Sequence, residues 1–212
     1  MGCVQTKREI INGHSEMIKS VADKTGFSPK VVENLYLQFK NLDKSNNGFL
    51  GADDLFDIPA LAVNPLFESL IVALHREATE VDIENQMGSV DPNLPVDFQH
   101  VQISFLSFVK ALSRFGPLQS NAGLNPRYCS IEGKLQFLFR MFDLSGTSRV
   151  QMKDIIGLLR TLVPEVQDDA LEEFAESVFL EISTNRDYVT IEDFEQSPIL
   201  REIAKDMYFR IF

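Results

Sequence analysis

The chain has 212 residues and a formal net charge of -11, with 20 Lys and Arg against 31 Asp and Glu. Nucleic-acid binding needs a basic footprint, so this balance argues against it and suits basic partner segments instead. No apolar run reaches about eighteen residues and no charged-then-apolar leader is visible, so the sequence predicts neither a spanning helix nor a secretory signal, and a cytosolic chain. Two cysteines, Cys3 and Cys129, are too few for a disulfide framework, and Cys129 reads as a loop thiol. The length allows one domain or two small lobes.

The first residues, Met1-Gly2-Cys3-Val4-Gln5-Thr6, match the N-myristoylation pattern, with Gly2 acylated once Met1 is removed. One acyl chain binds a bilayer only marginally, so Cys3 as a palmitoylation site and the positive Lys7 and Arg8 would supply the second signal. Residues 1–24 are therefore read as an acylated segment that anchors the protein at the inner face of the plasma membrane. The alternative is a myristate buried inside the protein.

Ser28 followed by Pro29 is a helix start, and Val31 to Leu42 is the entering helix of a helix-loop-helix hand. The loop opens at Asp43, with Ser45, Asn47, Gly48, Phe49, Leu50 and Asp54 at positions 3, 5, 6, 7, 8 and 12. This is the grammar of a calcium loop: side-chain oxygens at alternating positions, a carbonyl at 7 and a glycine at the sharp turn. Asp43, Ser45, Asn47, the Phe49 carbonyl and Asp54 are the expected ligands. Asp54 is one methylene shorter than the usual glutamate, and Lys44 opposes a cation, so weak Ca2+ or Mg2+ binding is expected, or a loop that keeps its shape and binds nothing.

Ile58-Pro59 ends the exiting helix, and Asn64-Pro65 starts another. Residues 77–97 are acidic without Lys or Arg and are broken by Gly88, Pro92 and Pro95; they read as an insertion, either a solvated loop or a dock for a basic segment. The second hand, closing at Phe115, has Ile103 at the position facing Leu50 but Val96, Phe98 and His100 where ligands belong, so it holds no metal. The lone histidines His14, His75 and His100 lack the spacing of metal ligands. Residues 25–115 form the expected N-terminal lobe, 116–130 the linker and 131–212 the C-terminal lobe.

The third loop runs from Asp143 to Asp154 with Ser145 and Thr147, but Ser148 replaces the glycine and Arg149 adds a positive charge, which argues against metal binding. The fourth, placed by Val189, has Ile182, Thr184 and Arg186 at ligand positions and is not a metal site. Val150 and Val189 can still make the short β-bridge that couples paired hands. From Ile199 to Phe212, Ile199, Ile203, Met207 and Ile211 lay a stripe along a helix. That stripe either packs into its own lobe or builds or fills a partner groove.

The stretches TGFSPKVVENLYLQFKNLDKSNNG, IPALAVNPL and KLQFLFRMFDL and the ending KDMYFRIF resemble calcineurin B and the calcineurin B homologous proteins over nearly the whole chain. TGFS, IPALAVNPL and the ligand losses in the first two hands resemble the homologous proteins more. The resemblance implies an all-α, N-myristoylated protein of two EF-hand lobes that grips an amphipathic helix in a hydrophobic groove. Phe137, Phe142, Leu158, Leu162, Phe174 and Phe179 are the wall residues expected, equally suited to a core. In the homologous proteins that helix belongs to the cytosolic tail of a plasma-membrane Na+/H+ exchanger, whose stability, surface delivery and pH response they support. The alternative is the B-type regulatory subunit of a calcineurin-like Ser/Thr phosphatase. Family calcium sites lie in hands three and four, whose motifs fail here. No nucleophile with a His and carboxylate partner and no phosphate-cradling Gly loop is visible, so a non-catalytic regulatory subunit is expected.

Overall fold

The computed structural model describes residues 11, 13–84, 100–116, 125–183, 185 and 187–207, the side chains of 80–84 and 126–127 excepted. The acylation residues Gly2 and Cys3 and the end of the chain beyond Met207 lie outside them.

Helix α1 (Ser15–Thr25) turns its Ile18, Val21 and Ala22 inward and stops at Gly26, whose φ of 78° is the left-handed conformation that a helix end favours in glycine. Ser28 caps α2 (Pro29–Leu42), accepting from the Val31 amide at 3.4 Å, with proline in the first turn where its missing N–H costs nothing. The chain then passes through β1 (Phe49–Leu50), α3 (Ala52–Phe56), α4 (Pro59–Ala62) and α5 (Phe67–Glu84). Strand β2 (Ile103–Ser104) pairs antiparallel with β1, Leu50 opposite Ile103 as the spacing predicts, and leads into α6 (Phe105–Arg114). After α7 (Pro126–Cys129) come α8 (Ile131–Phe142), α9 (Met152–Leu162), α10 (Asp168–Ile182), α11 (Ile191–Gln196) and α12 (Pro198–Asp206), with Val150 and Val189 bridged between the paired loops. The all-α fold with short β-bridges between paired loops is thus present.

Two apolar cores form. The first gathers Ile18, Val32, Leu35, Phe39, Leu50, Ile71, Ile103 and Val109, together with Phe137 from α8. The second gathers Leu135, Phe139, Val150, Ile155, Phe179, Val189 and Phe194. Alternate faces of α8 therefore serve both cores, and Met207, just past α12, packs back on the first.

Three local expectations change. The acidic stretch 77–97 starts as helix, because α5 continues to Glu84, and Glu77 is buried; residues 85–99 lie outside those described. Cys129 is a buried residue ending a short helix, and burial pushes its thiol pKa up. On α12 it is Leu200 and Ala204 that face the core, while Ile199 and Ile203 of the predicted stripe stand exposed.

Candidate functional site

The first loop closes on Asp43, which is 3 % exposed. Its carboxylate accepts from the amides of Asn47 (3.0 Å) and Gly48 (2.9 Å) and from the Ser45 hydroxyl (3.3 Å). Lys40, one turn back on α2, places its ammonium 3.3 Å from Asp43 Oδ2 and also donates to Asn46 Oδ1. Burial alone would raise the Asp43 pKa, but the Gly48 and Asn47 amides and Lys40 outweigh it, so the pKa lies below its usual value. Asp54 accepts from the Gly51 amide at 2.9 Å and so caps α3. The five expected ligands lie in one loop of the right shape, but an ammonium shares the leading carboxylate. Asp43, Ser45, Asn47, the Phe49 carbonyl and Asp54 would hold a divalent ion only by displacing Lys40, whose side chain is 26 % exposed.

The third loop repeats this geometry. Asp143 accepts from the Thr147 and Ser148 amides at 3.1 and 2.8 Å and from the Ser145 hydroxyl at 3.4 Å, and Asp154 accepts from the Gln151 amide at 2.8 Å. Ser148 takes φ 56° where Gly48 takes 87°, so replacement of the glycine strains the turn without abolishing it. Burial, ahead of nearby charges, pushes the Asp154 carboxyl pKa up. The Arg149 guanidinium lies over the Tyr188 ring, 4.4 Å from its centroid. Among the described residues no group of three His, Cys, Asp or Glu side chains could hold a metal.

Between the two cores lies a buried junction of charges. Glu77 on α5 receives Arg114 Nε at 2.9 Å, Arg114 Nη2 at 2.7 Å and Arg140 Nη1 at 2.6 Å. Its neighbour Arg76 donates to the carbonyls of Asp143 and Leu144 (3.2 Å to the latter). Burial pulls the Arg76 pKa down, opposed by Asp143 and reinforced by Arg140. Lys134, fully buried, donates to the Met207 carbonyl at 2.6 Å and so caps the end of α12. Charges this deep are tolerable only when paired, and their placement ties α5, α6, α8 and α12 together.

Beside the third loop, α8, α9 and α10 open an apolar cleft of about 160 Å³. Leu138, Met141, Phe142, Ile155, Leu158 and Leu159 lie within it, joined by Leu162, Phe174, Val178 and, from before α5, Leu66. Four of the six residues proposed from the sequence as groove walls, Phe142, Leu158, Leu162 and Phe174, meet here. Phe137 and Phe179 do not: both are fully buried, one in each core, because their helix faces turn toward neighbouring helices. Leu162, Val163, Val166 and Phe174 are between 41 % and 54 % exposed, more apolar surface than a single scattered residue presents. Leu66, Leu138, Met141, Ile155, Leu159 and Val178 were missed, although the helical spacing of Leu138 and Met141 with Phe142 could have found two of them.

Paired helix-loop-helix hands with their loops coupled by short bridges define an EF-hand protein. No family model matches the chain, but relatives do. It is 26% identical to calcineurin B of Naegleria gruberi over 92% of this chain and 94% of that one. It is 25% identical to calcineurin B type 1 of Dictyostelium discoideum over 83% of each, and 22% identical to human calcineurin B homologous protein 3 over 80% of this chain and 75% of that one. Over most of its length the chain is thus similar to calcineurin B subunits and to a calcineurin B homologous protein.

Proposed function

We propose that this chain is a non-catalytic, lipid-anchored regulatory subunit whose C-terminal cleft grips an amphipathic helix in the cytosolic tail of a Na+/H+ exchanger, supporting that transporter's stability, surface delivery and pH response. The observation that carries the reading is the wholly apolar cleft between α8, α9 and α10, with exposed Leu162 and Phe174 on its wall. An amphipathic helix laying apolar residues at i, i+3, i+4 and i+7 into such a groove is a recurring binding mode. Helix α10 carries six acids and no Lys or Arg, so the helix it receives is basic on its outer flank. Acylation at Gly2 and Cys3 would hold the complex at the inner face of the plasma membrane. One weak Ca2+ or Mg2+ in the first loop is compatible with this role.

The second reading, the B-type regulatory subunit of a calcineurin-like phosphatase, is favoured by likeness to the Naegleria calcineurin B along nearly the whole of both chains. Calorimetric titration with two synthetic helices separates them, one from an exchanger tail and one from a calcineurin catalytic subunit. Tighter binding of the exchanger helix, lost on Leu162→Asp with Phe174→Asp, supports the first reading. Tighter binding of the phosphatase helix replaces it with the second, and failure of both removes the cleft as a helix site.

A further inference from the structure

The third loop carries the same leading contacts as the first, yet its neighbouring cation comes from elsewhere in the chain. Arg76 lies 67 residues before Asp143, on α5, and reaches across the junction to the carbonyls of Asp143 and Leu144. These carbonyls belong to the first two loop residues just past the end of α8, near the negative end of its helix dipole. Its Nη1 is also 3.9 Å from Asp143 Oδ2, with both side chains buried, 7% and 6% exposed. The guanidinium thus balances the leading carboxylate while holding the backbone that opens the loop.

Unlike Lys40 at the first loop, Arg76 cannot leave. Its neighbour Glu77 is held by Arg114 and Arg140, and Arg140 sits on α8 three residues before Asp143. Two adjacent residues of α5 therefore meet two opposite charges spaced by one turn of α8. Withdrawing the guanidinium would require α5 and α8 to separate, exposing Glu77 and both of its arginines at once. A divalent ion arriving at Asp143 would meet a fixed positive charge at about the distance of a direct ion pair.

We propose that Arg76 is the resident cation of the third loop: it holds the loop in its closed, hydrogen-bonded shape and keeps divalent ions out. Because α8 and α9 flank this loop and line the apolar cleft, the same residue fixes the cleft without metal. In sensor hands, by contrast, ion binding changes the angle between the flanking helices and opens the groove.

Calorimetric Ca2+ titration of the full chain tests this with Asp143→Asn, Arg76→Met and the double variant. In the wild-type background Asp143→Asn should leave the Ca2+ isotherm unchanged, and Arg76→Met should gain a binding step that the double variant loses. A wild-type isotherm altered by Asp143→Asn, or a folded Arg76→Met chain with no new step, overturns the proposal. Amide exchange on the unaltered protein decides the matter even if Arg76→Met does not fold. With chelator present, the Thr147 and Ser148 amides should exchange more than about tenfold slower than in an open chain. Free exchange in chelator, with protection only on adding Ca2+, would show that the loop depends on metal.

Discussion

The first and third loops make the same hydrogen bonds to their leading aspartates, and they differ in where the balancing cation comes from. Lys40 stands one turn from Asp43 on the same helix, partly in solvent, and can move aside for an ion. Arg76 is buried and comes from the opposite side of the junction. The contrast teaches that the same loop hydrogen bonds can be kept beside a partly exposed cation from the loop's own entering helix or beside a buried one from across the junction.

The largest effect should come from removing the anchor of Arg76. Glu77→Gln leaves Arg114 and Arg140 buried without their counter-charge, a loss of about 3–5 kcal/mol, read as a large drop in Tm by scanning calorimetry. Amide exchange in the same variant should rise in the third loop and stay unchanged in the first; equal loosening of both would erase the distinction drawn between them. Next, Leu162→Asp with Phe174→Asp should weaken helix binding by about a hundredfold or more, because charges placed at the cleft edge must be desolvated by the partner. Circular dichroism should stay unchanged, since both side chains are about half exposed.

A smaller and more local pair of substitutions compares the two turns directly. Ser148→Gly should stabilise the protein by about 1 kcal/mol, because it removes a side chain from a left-handed residue. Gly48→Ala should destabilise by a similar amount; nothing lies within 4 Å of an added Cβ, so the cost is conformational and not steric. Both are measured by denaturant unfolding, and equal signs would contradict the assigned geometry.

The smallest effect is in pH. Asp43 has a lowered folded pKa, so its charge favours the fold above the ordinary carboxylate pKa of 3.8, and that contribution is lost as pH falls through the folded value. Asp154 has a raised one, so its charge opposes the fold near neutrality and the penalty lifts as pH falls through its own, higher value. In a carboxyl-detected NMR titration Asp154 should protonate before Asp43 on acidification.

The helix starts at Ser28-Pro29 and the pairings of Leu50 with Ile103 and Val150 with Val189 were legible because each rests on a local pattern of caps and loop positions. The junction was not. Glu77 stands in an acidic run that reads as solvated, and its partners lie 37 and 63 residues away, leaving no mark in its own neighbourhood. Arg76 is hidden for the same reason. At the cleft, helical periodicity identified apolar faces but not which neighbour would cover them, so Phe142 and Phe174 were found together with the wholly buried Phe137 and Phe179. At Ser148 the missing glycine argued against metal binding but said nothing of the loop's shape, which the amides of Thr147 and Ser148 keep by holding Asp143.

The most direct measurement is calorimetric titration of a basic amphipathic helix from an exchanger tail into the chain, first in chelator and then in millimolar Ca2+. A cleft held open by Arg76 gives the same affinity in both, within about twofold, a difference well under about 1.4 kcal/mol. Binding that appears only when Ca2+ is added would mean that metal, and not Arg76, sets the cleft.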